Sequence, residues 1–526
     1  MTGSPLLRWL LLLIVTTTIT CEKPPNIVMI VADDLGWNDV SFHGSNQIPT
    51  PNIDRLAREG IALNNYYVLP ICTPTRSAIM TGRYPIHTGM QRDVIYSPNP
   101  WGVGLDEVFI PQYLKAQGYS THAIGKWHLG FYAKEFTPTY RGFDSFYGYY
   151  NGKGDYWDHS DESKYWGLDL HHDLDPVYTQ WGNYSTEMYT AEAESRIKNH
   201  DTAAPLFLYL AYQAVHIANF HDPIQAPKSW INKFKHIKSK ERRKFAAVTA
   251  YMDYGVGRVY KALEEKGILN DTVIVFTTDN GGPANGFNQN YASNWPLRGV
   301  KRTMWEGGVR GVGLIYSKLL KSSGRVSMDL FHCTDWLPTF VSIAGGEVET
   351  KVDGYDIWNT LQNETPSPRK EVLINIDRKQ AALRVGDWKI IEGQGKKWSG
   401  WYPAQKSNNH GLKDAVQDFE NKVIELDKNL DSNKVDLYFA SSMSIQCGPV
   451  PATPEYCNKA PCLFNIKEDP CEFHDLSKKE PVILENMIKR MAEYKKTMVA
   501  PRNNKTVDPM SNPKLHNGMW MPWRSP

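Results

Sequence analysis

The sequence predicts an α/β protein: a mixed, mostly parallel sheet flanked by helices, followed by a smaller C-terminal α+β domain carrying an antiparallel sheet. Three observations carry this. Runs that are apolar throughout recur at Asn26–Ala32, at 205–216 with His216 at the far end, and at Thr272–Thr278. Such runs fit strands buried on both faces, which belong to parallel sheets covered by helices. A helical pattern fills 239–267, with Phe245, Val248, Met252, Val256, Val259 and Leu263 near one face, Ser239 as cap and Gly267 as stop. The texture then changes after residue 375. The stretch 381–391 reads as a hairpin turning at Gly386-Asp387, 393–435 is polar and loop-rich, and 482–494 is a helix with Pro481 tolerated at its first turn. A chain of 526 residues exceeds one compact domain. We therefore divide it into a larger domain over 24–375 and a smaller one over 376–526.

Residues 1–21 read as a secretory signal peptide: Arg8, an apolar run from Trp9 to Val15, then mostly small polar residues up to Cys21. The run is too short to span a membrane, and no later anchor signal follows. Lys+Arg total 59 and Asp+Glu 57, a balance that argues against a nucleic-acid partner. Four sequons, at Asn183, Asn270, Asn363 and Asn504, fit a lysosomal or extracellular destination. Of the seven cysteines, Cys447, Cys457, Cys462 and Cys471 crowd together, which in an oxidising compartment implies two disulfides. The local pairing Cys447–Cys457 and Cys462–Cys471 is the expectation, although spacing alone does not settle it. A zinc site is disfavoured because only Cys457 and Cys462 approach ligand spacing. Cys333 is left as a buried free thiol.

The stretch 72–83, Cys-Thr-Pro-Thr-Arg-Ser-Ala-Ile-Met-Thr-Gly-Arg, is the candidate reaction centre. Pro74 cannot continue a strand and the following residues begin a helix, so Cys72 falls at a loop-to-helix junction, where free backbone N–H groups attract anions. Arg76 adds a planar donor fork suited to an oxyanion. Asp33-Asp34 and Asp279-Asn280 each follow an apolar strand, where open α/β sheets bind ligands. Together they offer hard oxygen ligands for Ca²⁺ or Mg²⁺. Lys126 and His128, two apart on an extended segment, share a face and fit one anion. Each feature has a plainer reading: a buried cysteine beside a proline turn, solvated acidic turns, a surface lysine, core histidines. Lys301 lies in the basic stretch 294–310 with Arg298, Glu306 and Arg310. The aromatic, His-rich stretch 155–182 reads equally as a pocket-mouth loop or as a packed surface loop.

Taken together, Cys72-Thr-Pro-Thr-Arg76 with Thr81-Gly82-Arg83, Gly125-Lys-Trp-His-Leu-Gly130, Arg141-Gly-Phe-Asp144 and Asn294-Trp-Pro-Leu-Arg-Gly299 resemble the type I sulfatases, in particular the arylsulfatase B type. The resemblance runs from about Asn26 to Trp523. It implies an alkaline-phosphatase-like fold and a formylglycine made from Cys72 by a formylglycine-generating enzyme. It also implies one Ca²⁺ held by Asp33, Asp34, Asp279, Asn280 and the side chain at 72. Arg76, Lys126 and Lys301 would stabilise sulfuryl charge, His216 with Lys301 would protonate the leaving alcohol, and His128 would act as base. The implied substrate is a sulfate ester, of a sugar of the N-acetylgalactosamine-4-sulfate type or of a small metabolite such as a glucosinolate. Two rivals are a phosphodiesterase of the same superfamily, disfavoured by Cys72 and the all-oxygen ligand set, and an inactive secreted binding protein, disfavoured by the complete residue set.

Overall fold

A computed structural model describes residues 23–378, 380–404 and 442–525. The expected signal peptide, Cys21 with it, and most of the polar stretch 393–435 lie outside the described residues. Ten strands form one sheet in the order Arg325–His332, Ile61–Tyr67, Gly313–Tyr316, Thr272–Thr278, Asn26–Ala32, Leu206–Ala211, Ser120–Lys126, Ser145–Tyr149, His171–His172 and Asp175–Pro176. From Thr272–Thr278 to Ser145–Tyr149 every pairing is parallel. Antiparallel strands flank this block on both sides.

The apolar runs lack alternation because both faces are covered. Val28 and Ile30 enter one core with Phe245, Met252 and Val256, whereas Ile27, Met29 and Val31 enter the other with Ile79, Leu337 and Phe340. Helix Lys240–Lys266 starts and stops as its sequence dictates. The Ser239 hydroxyl accepts from the Arg242 N–H at 3.2 Å, and Gly267 takes φ 78°, which only glycine adopts readily. The expected strand over 205–216 is shorter than its apolar run. It ends at Ala211, and the chain then turns so that Val215 N–H reaches the Asp33 carbonyl at 2.7 Å.

The C-terminal sheet is antiparallel, in the order Glu371–Asp377, Gln380–Val385, Trp388–Glu392 and Cys462–Asn465. It begins at Glu371, before the expected border at 376. The expected hairpin is present, with Gly386 at φ 54° in its two-residue turn. Helix Pro481–Thr497 lays Met487 and Met491 on this sheet. The cysteine pairing differs from expectation: Cys447 joins Cys471, and Cys457 joins Cys462. Cys457 and Cys462 flank the turn entering the last strand, with Cα atoms 5.2 Å apart, within bridging distance. Cys471 lies buried beyond that strand, where Cys447 reaches it with Cα atoms 6.3 Å apart. Cys333 is a buried free thiol, as expected.

Candidate active site

The parallel block gathers the expected residues at the carboxyl ends of its strands, the edge at which such sheets bind ligands. Asp33-Asp34 follow Ala32, Asp279-Asn280 follow Thr278, and Lys126 closes its strand with His128 two residues on. His216 lies in the turn after Ala211, and Cys72 opens helix Cys72–Thr81 facing this edge. Asp33, Asp34, Cys72 and His216 place one potential ligand atom each within 4.8 Å of one another.

Three carboxylates and three cations share this buried space. Lys126 Nζ donates to Asp33 Oδ2 at 2.6 Å. Lys301 Nζ lies 2.6 Å from Asp34 Oδ1. Arg76 donates Nε and an Nη to Asp279 Oδ2 at 3.0 and 2.9 Å. Burial pushes the Asp33 carboxyl up to about 8, and the Asp279 charge adds to this. For Asp34 burial also favours the neutral acid, but Lys301 and His216 outweigh it and hold the group below the usual carboxylate range. Asp279 is likewise held down, by Arg76 and Lys126 against burial. Asp34 takes φ 60°, a left-handed conformation that costs a non-glycine residue energy and is concentrated at functional sites.

The residues fit a hard dication. Asn280 donates through Nδ2 to Asp34 Oδ1 at 2.7 Å, while its Oδ1 is buried with no hydrogen-bond partner. An orphaned amide oxygen beside three crowded carboxylates is the donor set that Ca²⁺ or Mg²⁺ satisfies. The Cys72 Sγ lies 3.8 Å from Asp33 Oδ1. Burial first, and the Asp279 charge second, push its thiol up to about 12.

The two histidines differ in which nitrogen is engaged. His128 Nε2 lies 2.9 Å from the Ile95 carbonyl and so carries the proton, leaving Nδ1 buried without a partner. His216 Nδ1 lies 2.8 Å from the Ile217 carbonyl, and its Nε2 faces Asp34 Oδ2 at 3.6 Å. Burial keeps both neutral. His216 is brought down to about 3, with Lys301 and Lys126 adding to that effect and Asp34 opposing it. His128 is held well below its ordinary value, with Lys126 and Arg76 adding to burial.

Cys72, His128, His216 and Lys301 line one cavity of about 550 Å³. Arg76 and Lys126 stand behind it, each with its cation on a carboxylate, so in this structure they act on the charged cluster rather than on the cavity surface. The expectation that Lys126 and His128 share a face fails because His128 takes φ 60° and breaks the extended segment. Arg298, Glu306 and Arg310 lie away from the cavity. Arg298 donates to the carbonyls of Ser399 and Glu472 at 3.0 and 3.1 Å, and Arg310 to that of Asn64 at 2.8 Å. Glu306 accepts from Lys389 at 2.8 Å. Arg298 and Glu306 tie the C-terminal domain to the larger one, whereas Arg310 braces the strand Ile61–Tyr67 within the first sheet. The stretch 155–182 meets both of its readings: Asp161, Glu162 and Ser163 line the cavity, while Tyr156 and His171 are buried.

Sequence reasoning missed Gly152. A Cβ there would lie 2.5 Å from the His128 ring. Gly152→Ala is expected to push the imidazole aside and lower kcat about 10²-fold with little loss of Tm. Unchanged turnover in a steady-state assay would show that the ring position does not matter.

The sequence matches the family profile described as Sulfatase over residues 25–346. Arylsulfatase J of Mus musculus is 40% identical over 525 residues, covering 95% of this chain and 80% of that protein. N-acetylgalactosamine-6-sulfatase of Homo sapiens is 29% identical over 366 residues, covering 64% of this chain and 66% of that protein. Among solved structures, Ps i-CgsB in complex with k-i-k-neocarrahexaose matches with a TM-score of 0.71 at 28% identity, covering 94% of this chain and 98% of that one. The expected alkaline-phosphatase-like architecture is the one these comparisons give.

Proposed function

This chain belongs to the sulfatase family and is a sulfuric ester hydrolase, and from that premise we propose that it hydrolyses sulfate esters of sugars through a formylglycine made from Cys72 and one Ca²⁺. The observation that carries this is the state of Cys72. Burial at a helix N-terminus, with the Asp279 charge adding to it, keeps its thiol protonated, and a protonated thiol is a poor nucleophile. The family resemblance supplies the alternative, oxidation of that side chain by a formylglycine-generating enzyme in the secretory pathway. All four sequon asparagines are exposed, as glycosylation on that route requires.

Asp33, Asp34, Asp279 and Asn280, with the side chain at 72, would hold the Ca²⁺. When present, these groups supply an aldehyde hydrate as oxygen nucleophile and a positive charge beside it. The chain's own residues do the rest. Arg76 holds Asp279 ionised, and Lys126 and Arg76 oppose the burial that favours the neutral form of Asp33 and fix both side chains in place. Lys301, whose ammonium is stabilised by Asp34 against the cost of burial, meets the sulfuryl oxygens. An anionic ester beside His216 opposes the burial and cationic charge that keep the ring neutral. Nε2 then gains a proton to pass to the leaving alcohol. His128 Nδ1 is the acceptor for a proton shed at position 72.

The resemblance to the arylsulfatase B type favours an N-acetylgalactosamine-4-sulfate ester. A relative named for N-acetylgalactosamine-6-sulfate and a structural neighbour solved with an oligosaccharide support a sugar. Peptide mass spectrometry of protein from a secretory host is expected to find an aldehyde at 72, together with turnover of a sulfated sugar. A free thiol in protein made with ample converting enzyme would defeat this reading. Metal removal gives a second check. Dialysis against a chelator is expected to lower Tm and Ca²⁺ to restore it, the stabilisation being about 2.7 kcal/mol at a hundredfold excess over Kd. A Tm indifferent to Ca²⁺, and in Asn280→Ala equal to the wild type at every Ca²⁺ level, would remove the ion from the site.

A further inference from the structure

The wall of the cavity carries a second carboxylate that no step above uses. Asp161 stands in the short hairpin Ser160–Glu162 with Trp166–Leu168. The hairpin is pinned from outside. Glu162 N–H donates to Asn219 Oδ1 at 2.9 Å, Asn219 Nδ2 donates to Ser160 Oγ at 2.9 Å, and Trp520 Nε1 donates to the Asp161 carbonyl at 3.3 Å. Asp161 is 1% exposed and lines the same cavity as Cys72, His128 and Lys301. The Ser97 hydroxyl donates to its Oδ2, while Oδ1 is buried with no hydrogen-bond partner. Lys153 Nζ lies 3.9 Å from this Oδ1, an ion pair beyond hydrogen-bond reach, and donates instead to the Glu162 carbonyl at 2.7 Å. A buried carboxylate oxygen without a hydrogen bond is costly, and such groups ordinarily have one. A rigid mount and an unmet acceptor together describe a group waiting for a ligand donor.

The chemistry of that donor is restricted. Burial pushes the Asp161 carboxyl up to about 7, with Lys153 and the Ser97 hydroxyl opposing. Above that pH the group is ionised and repels the sulfate of a substrate, which is anionic and only accepts hydrogen bonds, so the test below is run at pH 8. Asp161 therefore reads the alcohol portion, and it requires an O–H or N–H there. An aryl group without hydroxyls offers neither, whereas a sugar ring offers several. Phe220, 53% exposed on the same rim with Lys153 over its ring at 4.4 Å, gives an apolar face against which a ring can lie. We propose that Asp161 is a specificity-determining residue that accepts a hydrogen bond from a ring hydroxyl of the sulfated sugar and so selects polyol esters over aryl esters. This rests on the sulfated-sugar reading above.

The test compares kcat/KM for N-acetylgalactosamine 4-sulfate and for 4-nitrophenyl sulfate, using the whole converted chain and its Asp161→Asn variant. The sugar-to-aryl ratio is expected to fall about 10–100-fold in the variant, the worth of a hydrogen bond to a charged group. Damage that is merely structural lowers both esters alike and leaves the ratio in place, so a ratio within threefold of wild type overturns the proposal. Wild-type protein that cleaves the aryl ester but not the sugar ester also overturns it while leaving the sulfatase reading intact. Wild-type protein that cleaves neither ester defeats the earlier reading itself, and this inference with it. Should Asp161→Asn fail to fold, Ser97→Ala, which removes the hydroxyl that fixes the carboxylate through Oδ2 and so lets Oδ1 swing out of place, is expected to shift the same ratio downward, and an unchanged ratio there overturns the proposal.

Discussion

Cys72→Ser is expected to abolish sulfate-ester hydrolysis while leaving the Tm of the Ca²⁺-free protein where it was. The substitution exchanges one atom at a fully buried position and opens no cavity of consequence. Helix Cys72–Thr81 keeps its start, since Ile71 in extended conformation is the N-cap and no side chain caps it. What changes is the chemistry. A serine hydroxyl in this setting meets the burial and the Asp279 and Asp33 charges that already hold the thiol protonated, so it is no stronger a nucleophile. It also lacks the second oxygen of an aldehyde hydrate. The expected loss in kcat is about 10⁴-fold or more, the scale on which loss of a covalent nucleophile acts. Retention of activity within tenfold, measured on protein whose residue 72 is verified by mass spectrometry, would mean that the side chain at 72 does not attack sulfur. The nucleophile would then have to be sought among the groups around it.

The sequence reveals the parts of the site that carry chemistry in side chains placed next to strand ends. Asp33-Asp34 and Asp279-Asn280 are visible because an apolar run announces the strand and the carboxyl edge of a parallel sheet is where function collects. Parallel pairing then brings them together, residue by residue from Asn26 against Thr272 to Ala32 against Thr278. Less legible is anything set by backbone conformation. The face of His128 is decided by φ 60°, the room for its ring by the absence of a Cβ at Gly152, and its tautomer by the Ile95 carbonyl. None of these leaves a chemical signature in the residue's own identity. Asp161 escaped for a related reason: one acid in an acidic loop looks solvated until the fold buries it. The cysteine pairing failed because the strand Cys462–Asn465 carries the chain away from Cys462 before Cys471, which leaves Cys462 to its nearest neighbour Cys457 and Cys471 to Cys447. Arg298, Glu306 and Arg310 read from the sequence only as supports for Lys301, and what they support was not legible, because the partners of Arg298 and Glu306 arrive from residues 389–472 and that of Arg310 from Asn64.

Those partners set the second large expected effect, on stability. Lys389 Nζ lies 2.8 Å from Glu306 Oε1 and 2.8 Å from Glu472 Oε1, and all three side chains are fully buried. Glu306 also accepts from the Tyr67 hydroxyl at 2.7 Å, and Glu472 from the Glu306 N–H at 2.8 Å. Lys389→Met keeps the stem and its packing but leaves two facing carboxylates without their cation. Breaking a buried pair in this way costs about 3–5 kcal/mol. The sign of the pH dependence follows from Glu472. Burial pushes its carboxyl up to about 7, with Lys389 opposing and the Glu306 charge adding. Raised above its unfolded value, this group favours folding most below about 4.5, and that contribution is lost as pH rises through about 7. Without Lys389 the rise is larger, so the Tm gap between Lys389→Met and wild type is expected to be wider at pH 8 than at pH 5. A gap that does not change with pH would mean that the carboxylates find other partners. Adding Glu472→Gln to Lys389→Met is expected to recover part of the loss by removing one of the two charges, a coupling that a double-mutant cycle reads directly. Activity should fall along with stability, because Glu306 opens the short helix just after Lys301. The junction between the sheets is in this way the support on which the Lys301 ammonium stands.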